Sequence, residues 1–370
     1  MKIAFFSGCV EYSVCLANSL RKDCKLDFIY NGNYVRFRDE SILDLLESGI
    51  RKIELSRYRI RDYRNFWNYR LFAVELRHYD IIHFQEGDIW FSLNRSLFKN
   101  VPLVLTVHDP TQHAGLPFIN RMYQDYAQRW IVTQSDSYIV HGQNMKNDLA
   151  RNFSVPLERI NVIPHGEFSF YKKWRSEYEP LLKPKKGKKR LLFFGEVRRN
   201  KGLEYLIKAE PLISSRYDNY TICIAGRFSK DPGNDFEHYR KMMVDTSRYE
   251  VINRYIANNE VAEIFESSDI VVLPYMSASQ SGILALAFGF GKPVVSTDTG
   301  SIGEVLEHGQ TGLLVSAGDT VALADAISTL LNDDERCTFF AANAAAVAQT
   351  RLNWDTIGKQ TVDIYRSILR

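Results

Sequence analysis

The sequence has no long apolar run and only a few cysteines, and each shortage argues against a class of protein. Its longest apolar stretches have the length of strands, so we expect no membrane-spanning helix. The five cysteines are odd in number and never stand in CxxC spacing, so we expect neither a disulfide framework nor a structural zinc site. Glu11 comes too early for the apolar core of a secretory signal. We therefore expect a cytoplasmic protein.

Positive and negative charges are nearly balanced in this sequence. Lys and Arg number 47 against 44 Asp and Glu, which leaves a net charge of +3 and gives no support to a nucleic-acid partner. No DxD triplet occurs, and the pair His108 and His113 in HDPTQH lacks the helical HExxH arrangement of a zinc site. We therefore expect no bound metal and no other cofactor.

The sequence does contain a regular alternation of short apolar runs with helical stretches, which is typical of parallel βαβ units. The predicted strands are Ile3–Ser7, Leu26–Tyr30, Ile81–Phe84, Leu103–Val107, Tyr138–His141, Ile160–Ile163, Leu191–Phe194, Tyr220–Ala225, Val251–Ile256, Ile270–Pro274, Val294–Thr297 and Gly312–Val315. Ligands of such sheets bind beyond the carboxyl ends of the strands.

The basic segment Tyr171–Arg190, which contains Pro180, Pro184 and Gly187, interrupts this alternation and suits a linker. We predict an α/β protein with two Rossmann-like domains that face each other across a cleft. The predicted boundaries are an N-terminal domain at 1–170, a basic linker at 171–189, a C-terminal domain at 190–352 and a closing helix at 353–370 that crosses back onto the first domain.

Two turns in the second half are suited to a phosphate group. The first follows the strand that ends at Phe194 and places Arg198 and Lys201 above the strand ends. The second leads through Ser281 into a helix, whose first N–H groups and positive dipole end form a ready anion site. Two such turns in one open sheet indicate a nucleotide ligand.

Six motifs follow one another along the chain: TVHD, IPHG, FGEVRRNKG, DIVVLPY, SGILALAFGFGKPVV and GSIGEVLEHGQTGLLV. In their order and spacing these motifs resemble the family 4 (group 1) glycosyltransferases of GT-B fold. The resemblance covers nearly the whole chain. It implies retaining, metal-independent transfer of a sugar from a nucleotide diphosphate donor, UDP- or GDP-linked, held by the C-terminal domain, to an acceptor held by the N-terminal domain.

The resemblance also implies roles for residues of the donor domain. Lys201 matches the family lysine that contacts the donor phosphates. Family members often carry an arginine directly after the turn glycine, where this chain has Glu196, so we assign the second phosphate role to Arg198; a solvated basic turn is the alternative. The helix start contributes Ser281 with the N–H groups of Gly282 and Ile283.

A pair of glutamates that many family members carry across this loop and helix is missing. No acidic residue occurs between Asp269 and Asp298, and the SQSG form resembles a known subset of the family. Gln280 is our candidate for a neutral contact with the donor sugar. Because a double displacement needs a nucleophile near the anomeric carbon, we favour a same-face substitution assisted by the leaving phosphate.

The resemblance places His108, at the end of a mid-domain strand, beside the transferred sugar. Asp109 fixes the local turn or takes part in base chemistry, and the sequence does not separate these roles. The other candidates for the acceptor region or the cleft are Gly8, Glu11, Tyr12 and His165. Glu11 and Tyr12 are equally compatible with ordinary first-turn positions of a helix.

The segment 51–77 mixes eight basic residues with three acids and interleaves them with aromatic side chains. This composition suits peripheral contact with an anionic membrane, on the inner face of the cell membrane for an enzyme with a lipid-linked acceptor. A solvated helix with aromatic residues packed inward is an equal alternative. For the whole chain, a role in surface polysaccharide or glycoconjugate synthesis is favoured, and the alternatives are a sugar-nucleotide epimerase of similar fold and a non-catalytic nucleotide-sugar binding protein.

Overall fold

The computed structural model divides into two compact units, each built around one parallel sheet. The first unit comprises Met1–Pro164 with Trp354–Arg370, and the second comprises His165–Asn353. The structure describes residues 1–38, 40–55, 62–110, 129–174, 181–182, 184, 187–229 and 233–370. The two parallel sheets confirm the predicted α/β class with two Rossmann-like domains.

The sheet of the first unit is built from short, mostly buried strands. Its strands within the described residues are β1 Lys2–Phe6, β2 Lys25–Asn31, β3 Arg51–Leu55, β4 Ile81–Phe84, β5 Leu103–Thr106, β6 Ser137–Val140 and β7 Ile160–Val162. They pair in the order β3-β2-β1-β4-β5-β6-β7, all parallel. Every residue of β4, β5 and β6 is buried, as expected for strands covered on both faces.

Helices follow most of these strands. The α-helices of the first unit that lie wholly within the described residues are α1 Val10–Leu20, α2 Gly32–Arg38, α3 Arg64–Glu75, α4 Ile89–Leu93, α5 Gln143–Phe153 and α12 Trp354–Ile368. Its 3-10 helices are Glu40–Leu45, Leu76–His78, Arg95–Phe98 and Leu157–Arg159. Chain order reverses between the neighbours β1 and β4, so ligands are expected at the carboxyl ends of these two strands.

The second unit repeats this arrangement with six strands within the described residues. They are β8 Lys189–Phe194, β9 Tyr220–Ala225, β10 Tyr249–Ile252, β11 Ile270–Leu273, β12 Val294–Thr297 and β13 Gly312–Val315. They pair in parallel in the order β10-β9-β8-β11-β12-β13, which places the reversal between β8 and β11.

Within its described residues, the α-helices of the second unit are α6 Leu203–Ser214, α7 Phe236–Arg240, α8 Asn258–Glu266, α9 Gly282–Gly289, α10 Thr320–Leu331 and α11 Asp334–Thr350. Its 3-10 helices are Ser169–Trp174, Arg199–Lys201, Thr246–Arg248 and Ile302–Glu304. Helix α9 ends at Gly289, whose carbonyl oxygen accepts a hydrogen bond from Lys172 (2.8 Å). The start of the predicted linker is therefore bound to the second unit; the rest of it lies largely outside the described residues.

Two strand predictions need correction. The sequence analysis predicts no strand within 51–77, but this segment begins with strand β3, whose Ile53 pairs with Ile29 of β2. An edge strand of alternating charged and apolar residues gives no apolar run, and the pattern therefore hides it. The strand predicted at Val251–Ile256 lies instead at Tyr249–Ile252 and ends where the side chain of Asn253 accepts a hydrogen bond from the N–H of Phe228 (3.0 Å).

The closing helix is confirmed. Helix α12 belongs to the first unit and packs against α1, where Gly358 lies so close to Ser19 that a Cβ atom would overlap its hydroxyl. Ion pairs join Lys22 to Asp355 (2.5 Å) and Arg366 to Asp23 (3.3 Å) along the same contact. Across the described part of the chain, no helix is long and apolar enough to span a bilayer.

Candidate active site

In the second unit, the turn after β8 and the loop after β11 are bound to each other. The carbonyl oxygen of Asn200 accepts from the N–H of Met276 (2.8 Å), and its side-chain amide donates to the carbonyl oxygen of Ser277 (3.2 Å). Gly202 has φ +66° and approaches Pro274 so closely that a Cβ atom would overlap the carbonyl oxygen. The two turns that the sequence assigns to phosphate thus form one surface at the strand reversal.

Lys201 lies over this joint. Its ammonium group is 3.9 Å from the centre of the Tyr275 ring, a distance typical of a cation–π contact. Tyr275 is buried, and its hydroxyl lies 3.4 Å from the hydroxyl of Ser281. The predicted phosphate lysine and the predicted N-cap therefore share one neighbour.

The start of helix α9 has the predicted capped geometry. The Ser281 hydroxyl accepts a hydrogen bond from the N–H of Leu284 (3.2 Å), which makes it the N-cap. The N–H groups of Gly282 and Ile283 have no partner inside the helix, because the first turn of any α-helix lacks preceding carbonyls. The Ile283 side chain lies 3.8 Å from the position of a Cβ atom on Gly195, in the turn after β8.

His165, predicted as a cleft or hinge residue, belongs to the second unit and lies beside this helix start. Its Nε2 is 3.7 Å from the position of a Cβ atom on Gly282, and its Nδ1 donates to the carbonyl oxygen of Gly166 (2.9 Å). Burial lowers the pKa of His165 to about 4, although the carbonyl contact opposes the shift. The imidazole is therefore neutral at pH 7.

Arg198 is engaged in an ion-pair cluster on the same turn. Glu196 pairs with Arg198 (2.8 Å) and with Arg227 (3.3 Å). Partial burial opposes the shift, but the two arginines hold the pKa of the Glu196 carboxyl below its usual value. With two arginines and one glutamate, the cluster has a net positive charge beside the turn. To contact a phosphate, Arg198 must break its ion pair with Glu196 or bind both groups at once.

Gln280 is one of three side chains near the helix start that hold a buried oxygen atom with no hydrogen-bond partner among the described residues. The other two are Thr299 and Ser301, on the loop after β12. That loop contacts the loop after β11, since the N–H of Ser301 donates to the carbonyl oxygen of Ser279 (3.0 Å). A buried acceptor without a partner is costly, so these atoms suit hydroxyl groups of a ligand or water.

In the first unit, His108 lies directly after β5 and is half-buried. Its Nε2 lies 3.2 Å from Oε1 of Gln85, and its Nδ1 lies 3.0 Å from Nε2 of His141. The ring of Tyr12 packs edge-on against His108 and also contacts His141. Tyr12 is buried and supports the histidine rather than projecting beyond it.

The remaining candidates of the first unit surround this cluster. Gly8 follows β1 at the strand reversal, where a Cβ atom would lie 2.7 Å from the side chain of Glu86. Glu11 lies in the first turn of α1, and its carboxylate accepts from the thiol of Cys9 (3.7 Å). Asp109 is half-buried beside His108. His113 lies outside the described residues, and among the described ones no group of three or more His, Cys, Asp or Glu side chains could hold a metal ion.

The sequence analysis missed the residues that hold these candidates in place. Gln85 and His141 follow β4 and β6, the two strands that flank β5. Both end apolar runs in the sequence, so a polar residue at the end of each neighbouring strand was the available signal. Asn200 and Tyr275 gave no such signal, because their roles depend on contacts between two distant loops.

Comparison with known proteins identifies the family. The description "Glycosyltransferase Family 4" matches residues 6–166, and "Glycosyl transferases group 1" matches residues 188–333. An uncharacterized glycosyltransferase of Methanocaldococcus jannaschii is 25% identical over 305 residues, which span 78% of this chain and 75% of the relative. The D-inositol 3-phosphate glycosyltransferase of Pseudarthrobacter chlorophenolicus is 28% identical over 307 residues, spanning 78% and 71%.

Among solved structures, HepE of Anabaena in complex with UDP-glucose has the same fold. Its TM-score is 0.76 at 18% sequence identity, and the match covers 99% of this chain and all of HepE. The two family matches together span most of the chain and meet near the division between the two units. The chain therefore belongs to the family 4, group 1 glycosyltransferases of GT-B fold and is a transferase that moves a sugar.

Proposed function

We propose that this glycosyltransferase takes its sugar from a nucleotide diphosphate donor, UDP- or GDP-linked, and transfers it with retention of configuration and without a metal ion. The acceptor in this proposal is a glycan or a lipid-linked glycan, and the product is a surface polysaccharide or glycoconjugate. The observation that carries the proposal is the joined surface of the second unit, where Lys201 and the start of α9 share Tyr275.

That surface provides what a departing nucleoside diphosphate needs. Negative charge develops on the diphosphate as the glycosidic bond breaks, and fixed cationic and N–H groups stabilise it best. Lys201 supplies the charge, and Gly282 and Ile283 supply N–H groups at the positive end of the α9 dipole. Arg198 adds a second charge once it exchanges Glu196 for phosphate. HepE, whose fold is similar, binds UDP-glucose, a ligand of the proposed class.

Recognition of the donor sugar is assigned to neutral groups. The buried oxygen of Gln280 has no protein partner in the described part of the chain, and it lies in the loop that leads into α9. A hydrogen bond from a sugar hydroxyl to this oxygen would replace the contact that the missing glutamate makes in other family members. Ser301, only 2% exposed, offers a second such oxygen.

The mechanism we propose is a substitution on one face of the sugar, assisted by the leaving phosphate. The donor loop has no carboxylate between Asp269 and Asp298 to form a covalent intermediate. His108 lies beside the transferred sugar in this proposal, with Asp109 in the adjoining turn. A glycosyl adduct on any side chain, detected by mass spectrometry of the enzyme trapped with a slow donor, would contradict it.

The first unit would hold the acceptor and contact an anionic membrane through α3. Tyr63, Trp67 and Leu71 recur every fourth residue and are 75%, 60% and 76% exposed, so they form one apolar stripe on the helix. Arg64 and Arg70 flank the stripe on the same helix. Large apolar side chains bordered by arginines suit a bilayer with anionic headgroups. Residues 56–61, which carry more arginines, lie outside the described residues.

A thermal-shift screen against UDP-, GDP-, ADP- and dTDP-sugars tests the proposed donor. A ligand at a hundred times its Kd stabilises the native state by about 2.7 kcal/mol, which raises the Tm of a domain of this size by about 5–10 °C. We expect UDP- or GDP-sugars to give this shift without added metal. We expect Lys201→Ala to abolish it and His108→Ala to retain it while losing transfer.

Lys208→Ala is the matched control for Lys201, because Lys208 also lies over a tyrosine ring, Tyr205, on the same unit (5.3 Å). It should keep the full shift. A shift that requires a divalent ion, or one that Lys201→Ala leaves intact, would refute the proposed donor site. The products separate the alternatives: a glycosylated acceptor supports transfer, an isomerised free donor indicates an epimerase, and binding with neither indicates a binding protein.

A further inference from the structure

A continuous series of hydrogen bonds includes His108 and links strands β4, β5, β6 and β7 of the first unit at their carboxyl ends. We call it the histidine chain: Tyr365, His83, Gln85, His108, His141 and the carbonyl oxygen of Ile163. The hydroxyl of Tyr365 lies 2.5 Å from Nδ1 of His83, whose Nε2 lies 3.2 Å from the amide nitrogen of Gln85. Gln85 then contacts His108, and His108 contacts His141, at 3.2 and 3.0 Å. Nδ1 of His141 ends the series at Ile163, 3.0 Å away.

The members of the histidine chain differ in exposure. Tyr365, His83, Gln85 and His141 are all buried, whereas His108 is half-buried. His83 is held further by the hydroxyl of Thr106 (2.8 Å). Burial lowers the pKa of His83 to about 3, so this ring stays neutral. His108 is therefore the member that a ligand can reach, and the others form its support.

The carbonyl end fixes where the hydrogens lie. A carbonyl oxygen only accepts, so Nδ1 of His141 must carry a hydrogen. In a neutral His141, Nε2 is then an acceptor, and the hydrogen between the two rings belongs to Nδ1 of His108. A neutral His108 is left with its lone pair on Nε2. A histidine without a partner at Nδ1 favours the opposite tautomer in water.

Gln85 can meet Nε2 of His108 in either protonation state. Its amide presents an oxygen and a nitrogen of nearly equal shape, and a half-turn of the amide exchanges them. The nitrogen suits a lone pair on Nε2, and the oxygen suits a protonated Nε2. His83 can accommodate either orientation of the Gln85 amide, because its neutral ring carries one hydrogen. When Nε2 of His83 donates to the amide oxygen, Nδ1 accepts from the hydroxyl of Tyr365; when Nε2 accepts from the amide nitrogen, Nδ1 donates to that hydroxyl.

We propose that His141 and Gln85 are positioning residues for His108. His141 places the hydrogen of neutral His108 on Nδ1, and Gln85 holds the ring so that Nε2 offers a hydrogen-bond acceptor at its half-buried edge. A hydroxyl group of the sugar or of the acceptor would then donate to Nε2 in place of the amide. This last contact rests on the proposed transfer function; the tautomer does not.

The tautomer is measurable by ¹⁵N NMR of the imidazole groups in full-length protein labelled at its eight histidines, at a pH where His108 is neutral. We expect wild-type His108 with its hydrogen on Nδ1. In His141→Ala we expect the hydrogen to move largely to Nε2. The control is His78→Ala, which removes an exposed histidine of the same unit. It should remove the NMR signal of His78 and leave the signal of His108 unchanged. A wild-type His108 with its hydrogen on Nε2, or a tautomer that His141→Ala leaves unchanged, overturns the proposal.

Kinetics provide an independent readout. Because misplacing a catalytic group by about 1 Å can cost on the order of a hundredfold in rate, we expect His141→Ala to lower kcat about 10- to 100-fold while the donor KM stays within about twofold. His141→Gln, whose amide can accept from Nδ1 of His108, should recover part of this loss. Equal losses in both variants with an unchanged tautomer would indicate a structural role alone. If the wild type transfers no sugar, the proposed function fails, and the NMR experiment, which needs no substrate, still decides the role of His141.

Discussion

Single glycines determine how close the loops of the second unit approach each other. Gly202 has φ in the left-handed region and lies against the carbonyl oxygen of Pro274, so its place requires both the conformation and the size of glycine. Gly309 has a similar φ of +74°, but nothing lies within 4 Å of the position of its Cβ atom. Comparing substitutions at the two glycines therefore separates the free-energy cost of the left-handed backbone conformation from that of the steric overlap with Pro274.

We predict that Gly202→Ala destabilises the second unit more than Gly309→Ala. The left-handed conformation costs an L-residue about 1–2 kcal/mol at either site. Only at Gly202 must Pro274 also move, which separates Lys201 from the loop before α9. Thermal unfolding of both variants, followed by the donor-induced shift, measures the two effects. Equal losses of Tm with an unchanged donor shift would show that the contact with Pro274 is unimportant.

For single residues, the sequence predicts which side chains lie at a strand end or a helix start better than it predicts which distant residues they contact. Lys201 and Ser281 are found where strand ends and helix starts lead us to expect them, because local patterns determine such positions. Gln85, His141 and Asn200 could not be assigned, since each acquires its part from a neighbour far away in sequence. The roles of all these residues in transfer stay predictions.

At the scale of elements, helix α3 combines two faces with different environments. Tyr69 and Ala73 are buried in the core of the first unit, while Tyr63, Trp67 and Leu71 point to solvent. Among the aromatic residues of this segment, Tyr69 is buried, Tyr63 and Trp67 are exposed, and Phe66 and Phe72 are half-buried. This mixture explains why the sequence alone left both a solvated helix and peripheral membrane contact open. The exposed stripe now favours the membrane.

We predict that wild-type protein floats with vesicles that contain anionic lipid, and that Trp67→Ser with Leu71→Ser reduces the bound fraction about tenfold or more. Burying each such side chain is worth about 1.5–3 kcal/mol. Val244→Ser with Phe339→Ser is the matched control, since both residues are exposed apolar side chains of the second unit. Neutral vesicles should bind the wild type weakly. Equal flotation of the stripe variant and the wild type would contradict membrane attachment through α3.

Strands with a mostly apolar pattern were predictable, and the charged edge strands β3 and β10 were not. Strands β4, β9, β12 and β13 match their predicted bounds because each is mostly apolar and ends at a turn. Strands β3 and β10 each lie at one edge of a sheet. They are half-solvated and include charged residues, so their positions depend on pairing with β2 and β9 rather than on their own composition.

At the scale of the molecule, each unit contains a buried neutral histidine, His83 in the first and His165 in the second. Burial lowers their pKa values to about 3 and about 4, below the value of about 6.5 of an unfolded chain. The unfolded state therefore binds more protons than the native state below that pH. Their stabilisation is complete above about pH 6.5 and is lost progressively as the pH falls toward 4.

We predict that the Tm of the wild type falls between pH 7 and pH 5, by an amount equivalent to roughly 1–2 kcal/mol for each buried histidine. Carboxylates with lowered pKa values, such as Glu260 and Asp62, contribute only at lower pH, because their loss begins near the ordinary values of about 4. His165→Gln should show a smaller fall over the same range. A fall in the variant as large as that of the wild type would show that His165 is not responsible.

The position of α12 has a consequence for how the protein is made. A ribosome completes the second unit before it adds the helix that seals α1, so the usual order of folding from the N-terminus is reversed for the last step of the first unit. Until then the groove that receives Ile357, Val362 and Tyr365 is open to chaperones and to unwanted association. A chain interrupted within α12 before Tyr365 would lack both this seal and the tyrosine that bonds to His83.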